Sequence, residues 1–129
     1  MFRSFLLLAA LVLCLPVSTE ACDGATPVVA AELAALIEND GAPVILDVRT
    51  DEEFAAGHVP GAVHLPHDEI ETRGESLPDD RETEIVVYSL NGDRAYIAVT
   101  HLRAVGYSHV IMLEGHWLWW QEAGRPVER

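Results

Sequence analysis

Short apolar segments alternate with segments of helical periodicity along this chain, and the alternation constrains the fold more than any other feature. The run Pro43–Val48 (PVILDV) is almost continuously apolar, which is typical of a strand covered on both faces. Four more segments of strand character lie near Val28, at 62–65, at Ile85–Tyr88 and at 109–113. The order predicts an α/β domain with a central five-stranded parallel sheet and helices on both faces.

The helices between these strands are predicted from periodicity and from the glycines that follow them. Their expected positions are 30–40, 51–56, 94–105 and 116–123. Thr50, followed three residues later by Glu53, is the pattern of a capping box at the start of the second helix. In the last helix Trp117 and Trp120 share one face and are expected on the sheet, whereas Trp119 points elsewhere and is a candidate partner surface.

The loops that follow two of the strands are the candidate functional region. Asp47 and Arg49 follow the second strand, and Ser89–Arg94 (SLNGDR) follows the fourth. Ligands of open parallel sheets bind beyond the carboxyl ends of the strands. A glycine-containing loop that leads into a helix N-terminus also presents backbone N–H groups to an anion.

The first 21 residues differ in character from the rest of the chain. Arg3 precedes an apolar run, Phe5–Leu15, and small and polar residues follow, which is the layout of a secretory signal peptide. The run is too short to form a permanent membrane anchor. We expect residues 1–21 to be removed and residues 22–129 to form one exported domain, periplasmic or extracellular, without membrane insertion.

Cysteine usage leaves the mature domain without an internal disulfide. Cys14 lies in the predicted signal peptide, and cleavage after Ala21 would leave Cys22 at the new N-terminus. A lipid anchor on Cys22 is an alternative, although the preceding triplet TEA matches a lipidation signal poorly.

The charge of the chain limits its partners. The net charge is −13 and the sequence contains no lysine. Such a surface repels nucleic acid and anionic lipid, so neither is expected as a partner.

Two separated motifs resemble those of the rhodanese domain. The segment VILDVRTDEEFAAGHVPGAVHLP is similar to the first signature of that family, and IVVYSLNGDRA is similar to its active-site strand, loop and helix. The resemblance covers about residues 26–128 and implies the rhodanese α/β fold, with the active loop between the fourth strand and its helix. Gly92 and Arg94 match the family loop, which has the six-residue length of sulfurtransferase members, but Ser89 stands at the position of the cysteine.

The serine changes the chemistry that the resemblance implies. A sulfurtransferase carries sulfur as a persulfide on a cysteine thiolate, whose charge is held by loop N–H groups and the helix N-terminus. A serine hydroxyl is a far weaker acid and forms no stable equivalent. We therefore expect a domain without sulfurtransferase activity, which acts as a binding or regulatory module for a small anion or a protein.

The site residues that the resemblance implies form an anion-binding loop and a supporting set. The loop consists of Ser89, Leu90, Asn91, Gly92, Asp93 and Arg94, and the supporting residues are Asp47, Arg49 and His116. Two enzymatic alternatives are open, a residual sulfur-transfer role and a hydrolase that uses Ser89, His116 and Asp47. No cofactor is expected, and no metal either, since the three histidines His58, His64 and His67 lack a diagnostic spacing.

Overall fold

The computed structural model describes residues 26–129. The predicted signal peptide, its cleavage site and both cysteines lie outside these residues. The helices and strands, in chain order, are α1 (Ala30–Glu38), β1 (Val44–Asp47), α2 (Asp51–Ala56), β2 (Val63–His64), a 3₁₀ turn (Gly74–Ser76), β3 (Ile85–Tyr88), α3 (Asp93–Ala104), β4 (Val110–Met112) and α4 (His116–Glu122).

The four strands form one parallel sheet in the order β2-β1-β3-β4. The predicted α/β fold with a parallel sheet is thus confirmed. Asp47, the last residue of β1, lies opposite His64 of β2 and Tyr88 of β3. Because these three strands end in register, the loops after β1 and β3 leave the sheet at the same edge, as a ligand site there requires.

The predicted count of five strands is wrong by one. Val28 forms only an isolated parallel bridge with Leu113, in which its N–H donates to the Met112 carbonyl. The pairing does not extend because Pro27 has no N–H to donate and α1 begins at Ala30.

Helices cover both faces of the sheet, as predicted. On one face, Ala98 and Leu102 of α3 pack against Val87 of β3. On the other face, Leu33 of α1 packs with Trp117 and Trp120 of α4. The positions of both tryptophans are therefore confirmed, and Trp119 is 57% exposed, as expected for a side chain directed away from the sheet.

The start of α2 is fixed by the predicted capping box. The Thr50 side chain accepts a hydrogen bond from the Glu53 N–H, and the Glu53 carboxylate accepts one from the Thr50 N–H. Each of these bonds satisfies a backbone donor that the helix itself leaves without a partner. In residues 26–129 no helix is long and apolar enough to cross a membrane.

Candidate functional site

Ser89 lies at the base of the loop between β3 and α3 and is completely buried. Its Oγ accepts hydrogen bonds from the Gly92 N–H at 3.0 Å and from the Ala95 N–H at 3.3 Å. Gly92, the residue before α3, has no side chain that could cap the helix. The Ser89 hydroxyl therefore supplies the acceptor that the first turn of α3 needs, and it holds the loop closed.

His116 covers this loop from the start of α4. Its Nδ1 accepts a long hydrogen bond, 3.4 Å, from the Ser89 N–H. Gly92 has φ 115°, and a Cβ atom there would lie 2.7 Å from the His116 Nε2. Only glycine satisfies both the backbone conformation and the close approach of the ring. Burial lowers the pKa of His116, opposed by the charge of Asp93, so the ring is neutral at physiological pH.

Three N–H groups of the loop keep their donor capacity for a ligand. The Leu90, Asn91 and Arg94 N–H groups donate to no acceptor within residues 26–129. The Asn91 amide and the Asp93 carboxylate contact each other at 3.3 Å on the outside of the loop. The loop thus resembles an anion cradle in its donors, but it carries a negative charge beside them.

Arg94 is directed to another element, where it meets a residue that the sequence pattern did not assign to the site. Its two terminal nitrogens donate to the two oxygens of Glu53 at 2.7 and 2.9 Å, a bidentate ion pair between α3 and α2. The pKa of Glu53 is lowered to about 2, and the hydrogen bonds from Arg94 are the largest cause. Burial of the carboxylate acts in the opposite direction, and the hydrogen bond from the Thr50 N–H lowers the pKa further. The capping pattern located Glu53 correctly, but its second partner lies 41 residues further along the chain.

The supporting carboxylate, Asp47, is fully buried and multiply hydrogen-bonded. It accepts from the Arg49 backbone N–H, from the Arg49 Nε and Nη2, and from the Tyr88 hydroxyl at 2.6 Å. Tyr88 in turn accepts from the Val59 N–H, and burial raises the pKa of its hydroxyl far above the usual value, with the charge of Asp47 adding to the effect. Sequence reasoning missed Tyr88, although a tyrosine ending a buried apolar strand requires a polar partner.

The structure does not assemble a catalytic triad from the three residues of the hydrolase alternative. Within residues 26–129 the hydrogen bonds of Asp47 go to Arg49 and Tyr88 and none joins it to His116. The His116 Nδ1 faces the Ser89 backbone N–H and not its hydroxyl. General-base activation of Ser89 needs the opposite arrangement.

Two of the three histidines considered for a metal, His58 and His64, are placed by packing. His58 and His64 both stack on the Phe54 ring, with centroids 3.7 and 4.5 Å away. Across the described part of the chain no group of three or more histidine, cysteine, aspartate or glutamate residues is arranged to hold a metal ion.

Comparison with known proteins places this loop in a family context. The family model described as "Rhodanese-like domain" matches residues 29–123. The chain belongs to the rhodanese-like domain family. The resemblance of its motifs is therefore confirmed over almost all of the described residues, and the matched range includes the loop Ser89–Arg94.

Relatives of similar length carry sulfurtransferase names. The chain is 36% identical to a protein named sulfurtransferase from Allochromatium vinosum, over 65% of this chain and 77% of the relative. It is 30% identical to the thiosulfate sulfurtransferase GlpE of Pseudomonas entomophila, over 70% of this chain and 80% of the relative. The solution structure of a rhodanese-like domain from Anabaena shares the fold, with a TM-score of 0.69 and 32% identity over 79% of this chain and 77% of that domain. Several other relatives are longer, and the chain spans 22–50% of their length.

Proposed function

We propose that this chain is an exported rhodanese-like protein that transfers no sulfur and uses the loop Ser89–Arg94 to bind a small anion, free or carried by a protein partner. The observation that carries the proposal is Ser89 itself. Its hydroxyl occupies the position of the family nucleophile and is engaged by two backbone donors. A persulfide requires a thiolate at this position, so the relatives' sulfur chemistry has no starting point here.

The loop supports anion binding through its backbone. The Leu90, Asn91 and Arg94 N–H groups lie at the N-terminus of α3, a helix of 12 residues whose dipole favours negative charge. Asp93 and the net charge of −13 oppose long-range attraction of anions. The proposed ligand is therefore a small anion that is held by short-range hydrogen bonds and not steered from a distance.

An anion titration followed by NMR and thermal unfolding tests this proposal. Thiosulfate, sulfite and phosphate are added separately, and the amide signals of Leu90 and Asn91 are expected to shift. An anion that binds with a Kd of about 1 mM stabilises the fold by about 1.4 kcal/mol at about 10 mM, which raises Tm by several degrees. If none of the anions moves these amide signals, the loop is not an anion site and the proposal is wrong.

A pair of arginine variants separates the loop from general charge effects. Arg94→Met leaves the Glu53 carboxylate without its partner beside the loop, and we expect the anion affinity to fall. Arg73→Met also removes one positive charge, but Arg73 pairs with Glu69 on the surface at 2.6 Å. An equal loss of affinity in both variants would mean that net charge and not the loop determines binding.

A further inference from the structure

A cavity lies beside the active loop, between α2 and α4. Its volume is about 180 Å³. Arg49, Glu53 and Gly57 line one side, and Leu90, Trp117 and Gln121 line the other. The cavity shares Leu90 with the loop, but neither Asn91 nor Arg94 lines it. This volume is below the roughly 300–1,000 Å³ of pockets for drug-sized ligands, so the cavity suits only a small molecule.

Arg49 supplies the buried polar group of this cavity. The side chain is 2% exposed, its Nε and Nη2 are bound to Asp47, and Nη2 also donates to the Gly57 carbonyl at 2.7 Å. The remaining nitrogen, Nη1, donates to no group in residues 26–129, and it is not sealed away from solvent. A guanidinium donor with capacity to spare is thus presented to the cavity by a side chain that the fold holds in place.

The charges around the cavity are balanced in pairs. Asp47 neutralises Arg49, and Glu53 is paired with Arg94. The cavity therefore offers a hydrogen-bond donor without an excess of positive charge, so it has no counter-charge for a free anion.

The walls of the cavity are apolar and partly aromatic. The Trp117 ring packs on the Arg49 guanidinium, with 4.4 Å between the Arg49 Cζ and the ring centroid. Leu90 is 36% exposed beside it, and Gln121 adds a neutral amide at the rim. A planar apolar group is complementary to these walls, and a hydrogen-bond acceptor on that group is complementary to the Arg49 donor.

We propose that this cavity binds a neutral, planar carboxamide, whose carbonyl oxygen accepts from Arg49 Nη1 while its apolar ring lies against Trp117 and Leu90. The amide N–H₂ of such a ligand lies toward the side-chain amide of Gln121 at the rim. The proposal does not depend on anion binding at the loop, because it uses different donors. It assigns Arg49, otherwise a structural partner of Asp47, to ligand recognition.

Three compounds with the same ring and different charge test this assignment on the unaltered chain. Benzamide is neutral, benzoate is anionic and benzamidine is cationic at neutral pH. We expect benzamide to shift the guanidinium signals of Arg49 and the indole signal of Trp117, with a Kd on the order of 1–10 mM for so small a ligand. Benzoate and benzamidine should bind at least about fivefold more weakly, because the cavity holds no unpaired charge to offset the cost of desolvating a charged ligand.

The same spectra distinguish this site from the loop. Benzamide should leave the Asn91 amide signal unmoved, whereas an anion bound in the loop shifts Asn91 and leaves the Arg49 guanidinium signals in place. Failure of either site is therefore visible without reference to the other.

Two leucine variants complete the test. Leu90→Asn removes an apolar wall of the cavity at a partly exposed position, and it should weaken benzamide binding about fivefold or more. Leu118→Asn is the matched control, since Leu118 is 43% exposed and lies outside the cavity. Benzoate binding as tight as benzamide binding, equal effects of the two variants, or no shift at Arg49 would each overturn the proposal.

Discussion

The ion pair between Glu53 and Arg94 joins α2 to α3 beside the loop Ser89–Arg94, and its removal has a predictable cost. Glu53→Gln preserves the shape of the side chain and an acceptor for the Thr50 N–H, so the substitution removes mainly the charge. The fall of the Glu53 pKa from 4.5 to about 2 corresponds to about 3 kcal/mol at 1.36 kcal/mol per pKa unit. Both side chains are about one quarter exposed, and solvent screening reduces the expected loss to about 1–2 kcal/mol.

The pH dependence of this loss identifies its cause. Because the folded state lowers the Glu53 pKa, the stabilisation is fully present above the unfolded value of 4.5 and disappears as the pH falls toward 2. Urea unfolding of wild type and Glu53→Gln at about pH 7 and about pH 3 measures both values. Glu69→Gln is the control, since Glu69 forms an exposed pair with Arg73 and should cost less than about 0.5 kcal/mol. A Glu53→Gln loss that matches this control, or that does not change with pH, would refute the reasoning.

Three further predictions concern the loop and the N-terminus. Ser89→Ala leaves two N–H groups of the loop without their acceptor and should lower the free energy of unfolding by about 1–3 kcal/mol, measured in urea. Since burial lowers the pKa of His116, the unfolded state binds its proton first, so stability falls as the pH drops below about 6.5, and His116→Asn should flatten that slope. The mature chain isolated from its host should begin between Glu20 and Asp23 by intact mass, and a chain that keeps Met1 would contradict export.

Local patterns predicted most of the fold. The apolar runs located β1 and β3, and the capping box located the first turn of α2, because these signals depend on neighbouring residues. The missing fifth strand is also a local effect: Pro27 and the early start of α1 leave Val28 alone to pair. The number of apolar segments does not tell how many residues of each segment form hydrogen bonds with a neighbouring strand.

The candidate site was predictable in position and less so in its bonds. The strand ends and the rhodanese-like motifs placed Ser89 and Asp47 at one edge of the sheet, as observed. The Tyr88 partner of Asp47 and the Glu53 partner of Arg94 were not predicted, because each lies 41 residues away from the residue it binds. Such long-range pairs leave no periodic pattern in the sequence. The Glu53 pair directs Arg94 to α2, and the bonds of Asp47 to Tyr88 and Arg49 leave it without a bond to His116, so no triad forms.

The most direct test of the account is sulfur transfer by the wild type and by Ser89→Cys, measured side by side. Both proteins carry Cys22→Ser, and each is assayed for a persulfide after thiosulfate and for thiocyanate after cyanide. The wild type should give neither product. In the wild type, the N–H groups of Gly92 and Ala95 donate to the Ser89 hydroxyl. In the Ser89→Cys variant the same two groups should stabilise the thiolate, so the pKa of the new thiol should lie below about 8.5. This variant should therefore form a detectable persulfide. Turnover by the protein that retains Ser89, in proportion to its concentration, would contradict the central claim.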